Sequence, residues 1–174
     1  MNKTQIYQLL TSSRSKTLSL LETKSTESMF TVPDGQTWSP IMVLDHLKIL
    51  DDQISQVLQR LLDRGRKKGL TSPVEDLTML RDLEPLVSKV MSAPAAPGTE
   101  PRNPPPSTIF LEANRSREHL LTMIDPLWNL DIQEFTFPHP WIGPMNGYEW
   151  LVFLSVHERG HHDHLQGLLE SQRS

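Results

Sequence analysis

Four of the chain's seven histidines fall within eight residues, in the run His157-Glu158-Arg159-Gly160-His161-His162-Asp163-His164. Residues four apart on a helix lie one above the other, so His157 and His161 can aim two imidazoles at one point. Neutral imidazole is the commonest nitrogen ligand for zinc, nickel, copper and iron. Cysteine is absent, which removes thiolate ligands, disulfides and a cysteine nucleophile together. Any metal here must be held by histidine and carboxylate. Trp150, Leu154, His157, His161, His164 and Leu168 are spaced 4, 3, 4, 3, 4, the seam a bundle helix turns towards its partners. Histidines at such positions are costly to bury unless something organises them, and a metal does so.

Two histidines do not complete a site, because zinc takes three protein ligands when catalytic and four when structural. The remaining candidates are His164, His46, His119 and His139. His46 borders the apolar stripe of another helix. His119 sits beside Arg117 and Glu118 on what reads as a solvated face, and His139 lies between prolines, where it can line a pocket mouth. His162 points off the seam and is expected at the surface. The run His157-Glu158-x-x-His161 also matches the short metallopeptidase motif, two zinc ligands with a glutamate base. Its longer form needs glycine in place of His164 and histidine in place of Gly167, so the match is weak. Glu158 and Asp163 read as solvated carboxylates that could support ligands or move protons.

Four amphipathic segments must position these side chains. The first spans residues 3–22, with Ile6, Leu10, Thr17 and Leu20 or Leu21 on one stripe. The second spans 40–64, with Ser39 as N-cap, Pro40 at the first helical position and Trp38 placed to staple onto Val43. The third spans 107–127. The fourth begins after Asn146, whose cap and Glu149 three residues on make a capping box, with Met145 set to pack on Trp150. Residues 65–106 form the long connection, and six of the chain's fourteen prolines fall in thirteen of its residues. Proline fixes φ and removes a donor, so this stretch is expected on the surface, with one or two short helical turns and few apolar anchors. The segment from Phe137 to Pro144 reads as a turn-rich loop. No segment alternates with the period of a strand. Residues 1–174 thus read as a single all-α domain, a four-helix bundle with a long Pro-rich crossover between its second and third helices.

Composition narrows the function. The net charge is −4 and the pI about 6.0, which supplies no basic field for nucleic acid or anionic lipid. No run approaches the ~18 apolar residues of a membrane span, and the amphipathic start has no signal-peptide h-region. A cytoplasmic location is the default expectation.

Three motifs together resemble the DinB-like (YfiT-like) metalloenzyme family. They are Trp38-Ser39-Pro40 leading into Val43-Leu44-Asp45-His46-Leu47, then His139-Pro140-Trp141-Ile142-Gly143-Pro144 before Tyr148-Glu149-Trp150-Leu151, then His157-Glu158-Arg159-Gly160-His161. The resemblance covers most of the chain, and the crossover adds nothing to it. It implies a four-helix bundle holding a divalent metal, nickel or zinc, through His46, His157 and His161, with water in open positions. Relatives often carry glutamine where His164 stands, so His164 is either a supporting group behind the ligands or a fourth ligand. The family implies a small-molecule substrate, with thiol-dependent S-transferase or isomerase chemistry or hydrolysis. Without cysteine, a sulfur nucleophile arrives as a low-molecular-weight thiol cosubstrate. Homodimers are common in such families. A non-catalytic metal- or partner-binding bundle is the alternative, since fold alone does not give function.

Overall fold

The computed structural model describes residues 1–22, 24–74, 77, 80–102, 104–105 and 108–171. The elements in order are α1 (Lys3–Glu22), α2 (Thr26–Phe30), α3 (Pro40–Lys67), α4 (Glu84–Met91), α5 (Ile109–Thr122), α6 (Ile124–Trp128), β1 (Thr136–His139), β2 (Gly143–Asn146) and α7 (Gly147–Glu170). Helices α1, α3, α5 and α7 form a four-helix bundle: α7 lies between α1 and α3, and α5 packs on α3. No helix among the described residues is long and apolar enough to cross a membrane.

Capping chemistry sets the ends of the two helices that carry the key histidines. The Ser39 side chain accepts from the Met42 N–H at the start of α3. Asn146 accepts from Tyr148 and Glu149, and the Glu149 carboxylate returns to the Asn146 N–H at 3.0 Å. Such reciprocal caps satisfy donors that a helix start leaves free.

Four expectations need correction. The third helix breaks at Met123 into α5 and α6. Pro126 has no N–H and its ring would clash with the Thr122 carbonyl, so an unbroken α-helical ladder cannot pass that point. The expected start of this helix at Ser107, like the crossover's end at Pro106, lies outside the described residues. The expected turn-rich loop contains a two-stranded antiparallel hairpin in which Pro138 faces Pro144. Two residues without N–H groups can oppose one another at a pair that exchanges no hydrogen bonds. The second helix runs three residues further than expected, through Gly65 to Lys67. A Cβ at Gly65 would lie 2.6 Å from the Ile132 side chain, so only glycine allows that close approach.

The crossover is the fourth. Leu77, Leu83 and Val87 are buried in the main apolar core, and α4 lies along α7. Pro85 stands in the first turn of α4, where its missing N–H costs nothing. The Arg81 guanidinium meets the buried Glu149 carboxylate at 2.5 Å, and the Asp131 N–H donates to the Ser72 carbonyl at 2.8 Å. Apolar anchors at helical spacing outweigh the prolines that follow them.

The bundle centre holds a closed set of charges, one from each long helix. Arg14 of α1 donates to Glu158 of α7 at 2.8 Å and to Asp51 of α3 at 3.0 Å. Arg117 of α5 donates to Asp51 at 2.8 Å and to Glu158 at 2.7 Å. All four side chains are at most 4% exposed. The two arginines also reach across the bundle: Arg14 donates to the Ala113 carbonyl at 2.8 Å, and Arg117 to the Leu10 carbonyl at 2.6 Å. Glu158→Gln should therefore cost about 3–5 kcal/mol of unfolding free energy, because it leaves buried guanidinium charge uncompensated. Lys3→Ala, which breaks the exposed pair to Asp125, should stay within about 0.5 kcal/mol. Urea unfolding of both variants measures the contrast, and equal losses would deny the ring its role.

Candidate functional site

The side chains of His46 on α3 and of His157 and His161 on α7 meet in the same polar layer, beside the charge ring. The Nε2 atoms of His46 and His157 are 3.2 Å apart, and those of His157 and His161 are 3.1 Å apart. One ring nitrogen from each of the three lies within 4.8 Å of the others, and all three residues are buried. The four-residue spacing on α7 brings two of the rings together. The third arrives because His46 stands about two turns inside the start of α3, capped by Ser39, level with them.

Hydrogen bonding fixes one tautomer. His46 Nδ1 lies 2.7 Å from the Thr99 carbonyl oxygen, which can only accept, so Nδ1 carries the proton and Nε2 presents a bare lone pair. Burial pushes the His46 pKa down. Burial, then the neighbouring His46, brings His157 to about 3. Burial, then His157, takes His161 well below its ordinary value. The three imidazoles are therefore neutral at physiological pH, with lone pairs available to a cation.

The cluster floors a cavity of about 630 Å³. Trp38 covers one side, its ring 5.0 Å from that of His46 and stacked 6.3 Å from that of His161. The crossover makes the opposite wall, from Val90 through Ala96 to Thr99 and Glu100. Three contacts pin that wall to α3: His46 to Thr99, the Gln53 side chain to the Gly98 carbonyl at 2.8 Å, and the Arg102 N–H to Asp45 at 2.6 Å. Gly160 of α7 lets Met91 of α4 come close, since a Cβ there would lie 3.1 Å from Met91.

Residues 9–165 match the DinB superfamily. The chain belongs to that superfamily. The four-helix bundle protein TT2238, known from a crystal structure, matches 95% of this chain and 99% of its own length, with a TM-score of 0.64 and 22% identity. That likeness concerns the fold alone. No curated protein matches the chain in sequence.

Within this DinB superfamily fold, the other histidines separate clearly. His164 Nδ1 lies 3.5 Å from Nδ1 of His161, the ring nitrogen other than the converging Nε2; His164 lines the cavity but is not part of the three-nitrogen cluster. His119 is exposed. His139 is buried and lines the cavity. His162, expected at the surface, is half-buried: its Nε2 lies 3.2 Å from both the Ser13 carbonyl and the Thr17 hydroxyl on α1. Trp141 lines the cavity, while Trp150 packs beneath His139 and Phe153.

Glu158 overturns the solvated reading and the peptidase motif together. It is fully buried. Burial alone would raise its pKa, but Arg117 and then Arg14 reverse that and hold it at about 2. One residue along a helix turns the side chain by about 100°, so while His157 faces α3, Glu158 faces the arginines. A carboxylate spent on two guanidiniums is no general base for a bound substrate.

Sequence reading missed Arg14, Asp51, Arg117, Thr99 and Glu100. Arg14 left a trace: Leu10, Arg14, Thr17 and Leu21 are spaced 4, 3, 4, which places an arginine on a buried stripe. Arg117 left the same trace between Ala113 and Leu120. Thr99 and Glu100 left none, because their role comes from where the crossover lands.

In metal-free protein these histidines and Glu158 set the acid response. The unfolded chain binds protons at histidines near pH ~6.5, whereas the buried imidazoles refuse them. Stability should decline as pH falls below ~6.5 and continue towards about 3, where His157 protonates. Glu158, depressed in the fold, contributes stability that is present above its ordinary value of 4.5 and is lost as pH falls towards about 2. Urea midpoints across this range should fall steadily, beginning in the histidine window. A flat profile between pH ~6.5 and ~5 would mean the imidazoles protonate in place.

Proposed function

We propose that this DinB superfamily protein is a metal-dependent enzyme acting on a small molecule, with His46, His157 and His161 as the ligands of nickel or zinc. One observation carries the reading: three neutral imidazoles from two helices converge their Nε2 atoms at the floor of an open cavity. Zinc–nitrogen bonds of about 2.0–2.1 Å place ligand nitrogens about 3.3 Å apart around a tetrahedral ion. The separations here are 3.2 and 3.1 Å, before any adjustment to an ion. The chemistry of the donor set fits as well: burial holds the second, cationic proton off all three rings, and metal binding requires neutral imidazole.

A bound divalent ion supplies Lewis-acid polarisation and lowers the pKa of a coordinated water or thiol. The chain's own residues do the rest. Thr99 holds His46 in the ligating tautomer. Trp38 and the crossover wall restrict water around the cluster. His164 lines the cavity beside His161 but stays outside the three-nitrogen cluster; three converging ligands rather than four support an open site over a closed structural one. Thiol-dependent transfer or isomerisation and hydrolysis both suit such a site, with the thiol entering as cosubstrate.

Metal analysis of protein purified without a nickel column, after growth with added zinc and nickel, tests the reading. Stoichiometric metal is expected. Alanine at His46, His157 or His161 should remove most of it, alanine at His164 should cause a modest loss, and alanine at His119 should leave it at the parental level. Negligible metal in the parent, or full occupancy in His46→Ala, would refute the assignment.

A further inference from the structure

His139 was a weak ligand candidate in the sequence, and the metal reading leaves it unused. It closes β1, the strand whose hairpin with β2 leads directly into α7. Its ring is 7% exposed, held 4.7 Å from Phe153 and 5.4 Å from Trp150 between ring centroids. Two backbone donors point at one of its nitrogens: the N–H groups of Trp141 and Ile142 reach Nδ1 at 3.1 and 3.2 Å. A nitrogen that accepts two N–H donors carries no proton, so the proton of the neutral ring sits on Nε2. Burial brings the pKa to about 4, which keeps the ring neutral at physiological pH. Among the described residues Nε2–H meets no protein acceptor, and the ring lines the same cavity as the three-histidine cluster.

We propose that His139 is a substrate-anchoring hydrogen-bond donor, whose Nε2–H receives a carbonyl-type oxygen of an uncharged ligand in the cavity. The hairpin turn fixes both the donor's tautomer and its position, because the two N–H groups that select the tautomer belong to the turn itself. Charge decides the class of acceptor. No lysine or arginine among the described residues lines the cavity, and its single carboxylate is Glu100. A neutral imidazole facing a wall with a carboxylate favours an amide or carbonyl over a carboxylate or phosphate. The remaining walls, Phe153, Leu50, Met91 and Val90 with Trp141 half exposed at the rim, suit an apolar or aromatic body attached to that oxygen.

The inference rests on the reading of this cavity as the substrate site, and benzamide is the probe that separates the two. Benzamide is titrated into the protein as purified and into chelator-treated protein, with metal content measured on the same samples. Binding is expected in both, with a shift of the His139 Nε2–H resonance. A long-range proton–nitrogen spectrum should show Nε2 protonated and Nδ1 bare. Benzoate should bind more weakly than benzamide in chelator-treated protein, where no cation draws the carboxylate. His139→Phe keeps the ring and should weaken benzamide about 3- to 10-fold, the loss of one hydrogen bond, with metal content unchanged. His139→Gln, which restores a donor near the Nε2 position, should recover part of that loss. The opposite tautomer, absence of benzamide binding, equal binding by His139→Phe, or benzoate binding as well as benzamide would each overturn the proposal. Protein that carries negligible metal as purified yet binds benzamide through His139 would sink the metal reading and leave this one standing.

Discussion

The charge ring of Arg14, Asp51, Arg117 and Glu158 is the constraint on which the rest of the bundle depends. Each member comes from a different long helix, and each is buried where an unpaired charge would cost several kcal/mol. The four can satisfy one another only when all four helices are rotated correctly at once. Apolar stripes alone tolerate small rotations, since leucine packs against leucine in many registers. A ring of directional donors and acceptors does not. The arginines also close the seam between α1 and α5, each donating to a backbone carbonyl of the other's helix.

That constraint reaches the histidines through a single peptide bond. Glu158 directed at the arginines forces His157 about 100° away around the helix axis, towards α3, and His161 follows one turn later. The polar layer made by the ring and the histidines divides the apolar core in two. Leu10, Leu50, Leu120 and Leu154 belong to one part, and Leu21, Leu44, Ala113 and Leu165 to the other. All four long helices thus pass from one apolar zone to the other through a polar layer. Each group in that layer is costly to leave unsatisfied, and together they hold the site in one geometry.

The crossover belongs to the site rather than to its periphery. His46 faces the cluster with Nε2 and donates from Nδ1 to Thr99, so one ring both contributes to the floor of the cavity and fastens its wall. Glu149 plays a similar double part at the start of α7, capping the helix and holding Arg81 of the same connection. A segment rich in proline can do this because it needs no ladder of its own. It supplies carbonyls and side chains at chosen points, and the helices supply the partners.

The sequence by itself determined the four amphipathic segments of the bundle, the caps at Ser39 and Asn146, and the pairing of His157 with His161. Those depend on spacing within one helix, where residues four apart are neighbours whatever the rest of the chain does. His46 was legible as a histidine beside a core stripe, at a level that a capped helix start and a fixed rise per residue limit, and the family resemblance implied it as the partner of the pair. The break at Pro126 was also written locally, in a ring that cannot follow the Thr122 carbonyl. Tertiary structure alone decided the fate of Glu158, Arg117 and Thr99. A glutamate beside a histidine reads as solvent-facing or as a base until the arginines of two other helices are known to meet it. A threonine between prolines shows nothing until its carbonyl lands on His46. Burial, tautomer and charge pairing arise between elements far apart in sequence, and no periodicity within one element records which partner will stand opposite.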